Sequence, residues 1–152
     1  MIPRLLLAAL CLISFDLPVH ADGEVQKLIT AADKARLDKY GETRKAALEE
    51  AKAGDPAEVR ELDALLAKPL VAFSDKDLTG NWKCRTIKAG GLSPLVIYGW
   101  FKCKVTDDGS GWRLQKISGS QRTAGGFFDD SEKRAIYLGS FSVNDDKAKP
   151  YG

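Results

Sequence analysis

Between Gly80 and Val105 the chain alternates apolar and polar positions with a period of two, and Gly90-Gly91 and Pro94 interrupt the alternation midway. Successive side chains of a strand point to opposite faces, so this pattern predicts two antiparallel strands joined by a turn. With Cys84 set opposite Cys103, the turn centres between Ser93 and Pro94. Trp82, Cys84 and Thr86 then share an inward face with Val105, Cys103, Phe101 and Ile97. Lys83, Arg85 and Ile87 share the outward face with Lys104, Lys102, Trp100 and Tyr98. Trp82 is expected to be buried beside the cysteines.

Upstream, the period changes to that of a helix. Leu37, Tyr40, Ala47, Leu48 and Ala51 recur at helical spacing behind Thr30-Ala-Ala-Asp33, which has the form of a capping box. Gly41 weakens this helix and Gly54 ends it. Asp55-Pro56-Ala57-Glu58 starts a second one, with Asp as the cap and Pro at the first helical position. Val59, Leu62, Leu65 and Leu66 form its apolar stripe, and Pro69 stops it. Residues 70–80 read as a linker anchored by Phe73 and Leu78.

Downstream, Asp107-Asp108-Gly109-Ser110-Gly111 predicts a turn into a strand at Trp112–Ile117. Further strands are expected over Gln121–Phe128 and Arg134–Val143, with a turn at Asp129-Asp130-Ser131-Glu132 and a loose end from Asn144 to Gly152. The expected fold is α+β: an antiparallel helical hairpin (22–69) followed by a twisted antiparallel β-meander of about five strands (70–152), barrel-like but incomplete, packed as one domain. Such an open sheet leaves Arg134–Val143 as an apolar edge.

The first 21 residues read as a signal peptide. Met1–Arg4 is a positive start, Leu5–Ile13 an apolar run too short to span a bilayer, and Val19-His20-Ala21 a cleavage site. Cys11 invites a lipoprotein reading, but Leu10 stands where a small residue would precede a lipidated cysteine. The expectation is a periplasmic or secreted protein. His20, the one histidine of the sequence, leaves with the signal. The remaining chain then has no Ser-His or Cys-His pair and no histidine metal site, and no catalytic residue, cofactor or metal is expected.

Cys84 and Cys103 remain, an even number in an oxidising compartment. A structural disulfide is the favoured reading; a redox or metal pair is the alternative, at a spacing far from C-x-x-C. Asp107-Asp108 and Asp129-Asp130 are read as turn residues before calcium ligands. Gly119-Ser120-Gln121-Arg122-Thr123 with Gly125-Gly126 marks a bent strand before an oxyanion loop.

Charge is segregated. Residues 22–68 carry nine Lys/Arg against eleven Asp/Glu, and residues 69–152 thirteen against nine. The formal net charge of +2 is too small to argue for nucleic acid. Lys83, Arg85, Lys102 and Lys104 gather on one predicted face, with Tyr98 and Trp100 beside them for stacking. This is either an anion-contacting patch or a face covered by the acidic helices, and covering is the favoured reading.

Leu78-Thr79-Gly80-Asn81-Trp82 resembles the G-x-W opening of lipocalin-like barrels, which small exported protease inhibitors share. Longer strings carry a second resemblance: ADGEVQKLIT at Ala21–Thr30, WKCRTIK at Trp82–Lys88, VIYGWFKC at Val96–Cys103, L-x4-GSQRT at Leu114–Thr123 and IYLG at Ile136–Gly139. On these the chain is identified as a member of an exported bacterial family described as domain of unknown function 4893. The resemblance implies no activity and no catalytic residue, and relatives continue past Tyr151-Gly152 into further strands.

Three functional classes follow. A non-enzymatic binding or interaction module, taking a protein or anionic ligand on the concave or the basic face, is the main expectation. A small periplasmic protease inhibitor of the lipocalin-like type is the alternative, although a chain that enters a helix directly leaves no free N-terminal arm. An enzyme using carboxylates, Ser or Lys has no paired constellation to support it.

Overall fold

The structure, a computed structural model, describes residues 22–73, 76–144 and 146–152. The signal sequence expected at 1–21 lies outside the described residues. Four helices come first: α1 (Asp22–Leu28), α2 (Ala31–Asp38), α3 (Tyr40–Ala51) and α4 (Pro56–Leu66). Seven strands follow among the described residues: β1 (Gly80–Cys84), β2 (Ile87–Ala89), β3 (Leu95–Ile97), β4 (Phe101–Asp107), β5 (Trp112–Lys116), β6 (Gln121–Ser131) and β7 (Arg134–Val143). The class is α+β.

The helix starts follow the side chains expected to make them. The Thr30 hydroxyl accepts from the Asp33 N–H at 3.1 Å, satisfying one donor orphaned at the start of α2. The Asp55 carboxylate accepts from Ala57 and Glu58 N–H at 2.8 and 3.2 Å, with Pro56 inside the first turn of α4. The long first helix, however, is two. Lys39 (φ −94°, ψ 4°) leaves the helical well and serves as both the end of α2 and the start of α3. The apolar positions on either side keep helical spacing, so periodicity alone does not show the break. Gly54 is required at the α3–α4 turn: a Cβ there would lie 2.8 Å from the Leu95 Cβ.

The main sheet has the order β1-β4-β5-β6-β7, all antiparallel and not closed, and β2 and β3 form a separate two-stranded sheet. The expected hairpin is therefore divided. Trp82 faces Cys103 and Cys84 faces Phe101, two residues away from the predicted register. A slip of two preserves which residues share a face. Between the two sheets the chain counts three steps on one side (84 to 87) and four on the other (97 to 101), and the extra residue changes the pattern. Ile87 consequently pairs with Ile97, not with Trp100, and the turn centres on Leu92, not on Ser93-Pro94.

Two apolar clusters hold the layers together. Val25 of α1 packs with Ile136 and Leu138 of β7, joined by Ile29, Leu37, Phe128 and Tyr151. Ala51 of α3, Leu62 of α4 and Leu95 of β3 form the other, with Ile87 and Ile97. The strand β6 runs to Ser131, beyond the predicted end, through a bulge at 129–131. Its Gly125 faces Gly139 on β7, and a Cβ at Gly125 would fall 2.1 Å from the Leu138 carbonyl oxygen. That approach accounts for Gly125, one of the glycines expected to mark a bent strand.

The C-terminal segment is more anchored than its polar sequence implies. Tyr151 packs on the Val25 cluster, its hydroxyl donates to Asp33 at 2.7 Å, and the Ser140 hydroxyl donates to the Lys149 carbonyl.

Cys84 and Cys103 form a disulfide with a Cα separation of 6.0 Å. Cys103 is 2% exposed, but Trp82 is 47% exposed, against the expectation of burial. The inward face is covered in the middle of the sheet and open at β1, an edge strand; the Trp82 indole N–H donates to the Leu78 carbonyl at 2.8 Å. Trp82→Ala is thus expected to cost only about 1 kcal/mol, whereas Leu138→Ala, in the core at 7% exposure, is expected to cost about 2–5 kcal/mol. Chemical denaturation of the two variants checks this ordering, and a larger loss at Trp82 would contradict it.

Candidate functional site

The ladder from β1 to β5 builds one strongly basic face. Lys83 lies directly opposite Lys102, and Asn81 opposite Lys104. Across the next pair, Lys104 faces Gln115 and Thr106 faces Arg113. Lys83, Lys102, Lys104 and Arg113 are all exposed, and the strand residues between them (Asn81, Thr106, Gln115) carry no charge. Lys83, Lys102 and Lys104 make no ion pair among the described residues. Side chains two apart on β4 are separated by about 6.6–6.8 Å, so the charges form a track along the strand.

At one end of the track stand Arg85 and Trp100. The Arg85 guanidinium lies 4.7 Å from the Trp100 ring centroid and donates to Glu61 of α4 at 2.6 Å. Its side chain is 15% exposed, while Trp100 is 62% exposed. The acidic helices therefore cover Arg85 and leave the three lysines open. Tyr98 does not join them: it is half-buried, its N–H donates to the Thr86 carbonyl, and Lys88 lies 5.3 Å above its ring. The extra residue between Ile97 and Phe101 separates it from Trp100.

A cleft of about 740 Å³ opens between α2–α3 and β7. Ile136, Leu138, Leu37 and Ala47 make its apolar floor; Arg36, Lys39 and Arg44 stand among its lining residues. At one side Asp33 receives the Tyr151 and Thr30 hydroxyls and the Arg36 guanidinium. These contacts, Tyr151 first, hold its carboxyl below the ordinary value of 3.8. On the concave face, burial pushes the Tyr137 phenol up, against the opposing hydrogen bond to Thr123.

A family model described as Domain of unknown function (DUF4893) matches residues 25–152. The chain belongs to this family. No curated protein and no solved structure matches the chain. The family's description assigns no activity, ligand or partner, so the chemistry rests on the faces above. No described helix is long and apolar enough to cross a membrane.

Sequence reasoning brought Lys83, Lys102, Lys104, Arg85 and Trp100 together and missed two features. The cleft was hidden because it forms where α2 and α3 diverge at Lys39. Lys116 was legible: period-two alternation from Trp112 through Leu114 places it inward, and it is 9% exposed.

The Asp33 contacts give a pH dependence. A carboxyl held below its unfolded value stabilises the fold above that value, and the stability is lost as pH falls through the folded one. Tyr151→Phe removes the leading cause. The variant should melt below the parent at neutral pH, and the gap should narrow as pH falls below 3.8. A gap independent of pH would show that Asp33 gains nothing from Tyr151.

Proposed function

We propose that the chain is an exported, non-enzymatic binding module that captures an acidic, extended segment of a partner protein on its basic face. The observation that carries this reading is the direct opposition of Lys83 and Lys102, with Lys104 beside them and no carboxylate on the surrounding strand face. Like charges directly opposite on a ladder destabilise it. Lysine on an edge strand discourages self-pairing, which accounts for Lys83 but not for Lys102 and Lys104, since β4 lies inside the sheet. An acidic partner relieves the repulsion. Trp100, exposed beside the lysines with its ring held against Arg85, provides the aromatic anchor that strong interfaces favour. Export is supported by the leader-like first 21 residues and by the cysteine pair. The inhibitor reading draws no support from α1, whose Val25 is 1% exposed within a core cluster.

A labelled oligo-glutamate peptide, followed by fluorescence anisotropy, tests the reading. Binding should weaken steeply with added salt, because the field shortens to about 8 Å at physiological ionic strength. The Lys102→Glu, Lys104→Glu protein should lose the peptide while its Tm stays within about 4 °C of the parent or rises. Salt-insensitive binding, or capture retained by the charge-reversed protein, would sink the proposal.

A further inference from the structure

The concave face of the main sheet buries a charge that no carboxylate among the described residues answers. Lys116 ends β5, opposite Cys103 and on the face of Trp112 and Leu114. It is 9% exposed. Its ammonium donates to the Gln121 carbonyl at 2.7 Å and lies 3.9 Å from the centroid of the Phe101 ring. A lysine ammonium has three donors. A carbonyl and a ring face occupy two of its sides, and neither carries a full negative charge. Desolvating an ion is costly, so buried charges are as a rule paired.

Lys116 also lines a cavity of about 420 Å³. Thr86 and Lys88 contribute from the β1–β2 side, and Gln121, Arg122 and Phe141 from β6 and β7. The curl of the open sheet brings these two sides together. Lys88 rests over Tyr98, while Arg122, whose position alternates to the other face, has its Nε bonded to the Gly119 carbonyl at 3.0 Å. Two lysine side chains thus stand at one cavity, and no described Asp or Glu lines it. The Thr86 hydroxyl and the Gln121 side-chain amide, which make no hydrogen bond among the described residues, add neutral donors.

We propose that this cavity binds a tetrahedral oxyanion, phosphate or sulfate, either free or as the terminal group of a small molecule. The anion supplies the counter-charge to Lys116, and Lys88 closes on it from the exposed side. Alternation along β4 puts Cys103 and Lys116 on one face and Lys102 and Lys104 on the other. The site is therefore separate from the basic track and does not depend on it.

The test is a titration of the purified protein with inorganic phosphate, inorganic sulfate and chloride at matched ionic strength, followed in amide proton–nitrogen spectra. Saturable shifts at Lys116 and at residues 121–123 are expected with phosphate or sulfate and not with chloride, and the two arms decide which anion is preferred. Lys116→Met keeps the stem and removes the charge, and should weaken binding at least about tenfold; Lys116→Arg should retain it. Should Lys116→Met not fold, Lys88→Gln at the mouth provides the second reading, with a loss of about threefold or more. The Lys102→Glu, Lys104→Glu protein should bind the anion as the parent does, which separates failure here from failure of the acidic-segment reading. The proposal is overturned by the absence of saturable shifts with either anion, by shifts centred on Lys83 and Lys102, or by affinity undiminished in every cavity variant that folds.

Discussion

The Cys84–Cys103 bond is the constraint on which the sheet's far edge depends. The strand β1 brings almost nothing to a core: Gly80 through Lys83 are exposed and Cys84 is half-buried. Cys103, by contrast, is among the most buried side chains, at 2% exposure. The disulfide links diagonal positions of the ladder, since Cys84 pairs with Phe101 and Trp82 with Cys103. A crosslink closing a loop of this size stabilises by roughly 3 kcal/mol in the chain-entropy model, more than enough to offset a cross-strand repulsion of up to about 1 kcal/mol between Lys83 and Lys102. The same end of the ladder leads into β2 and out of β3, the strands on which α3 and α4 pack. The bond thus stands where the basic face, the concave face and the helical layer meet.

The parts legible in the sequence were those set by local rules. Thr30 and Asp55 cap the helices they were expected to cap, and the alternation of Gly80–Cys84 and Phe101–Asp107 fixed the faces even though the register moved by two. What was not legible depends on the whole fold. The burial of Trp82 required something to cover the edge of an open sheet, and nothing among the described residues does. The division of the hairpin turned on one extra residue between Ile97 and Phe101, which leaves both flanking patterns intact. Tyr151 sits in a polar tail that reads as loose; its anchoring needs Asp33, 118 residues away in the chain.

The candidate site was legible to the same degree and for the same reason. Lys83, Lys102 and Lys104 share a face because period two requires it, and Arg85 meets Trp100 for the same cause. Which of these cations the helices would neutralise was beyond periodicity: Glu61 reaches Arg85, and among the described residues no acidic side chain pairs with the three lysines. The two faces of one sheet consequently hold different charge problems. The outward face carries repulsion that solvent moderates, and the inward face holds one ammonium among a carbonyl, a ring and a cavity. An extended acidic segment answers the first and a compact anion the second.

Native-state hydrogen exchange, comparing the oxidised protein with the Cys84→Ser, Cys103→Ser double variant, tests the role of the disulfide most directly. Amides of β1, and those of β4 that bond to it, should lose most of their protection in the variant, while β6 and β7 keep theirs. Protection in β1 that survives removal of the bond would contradict the claim that the disulfide holds this edge and, with it, the basic face.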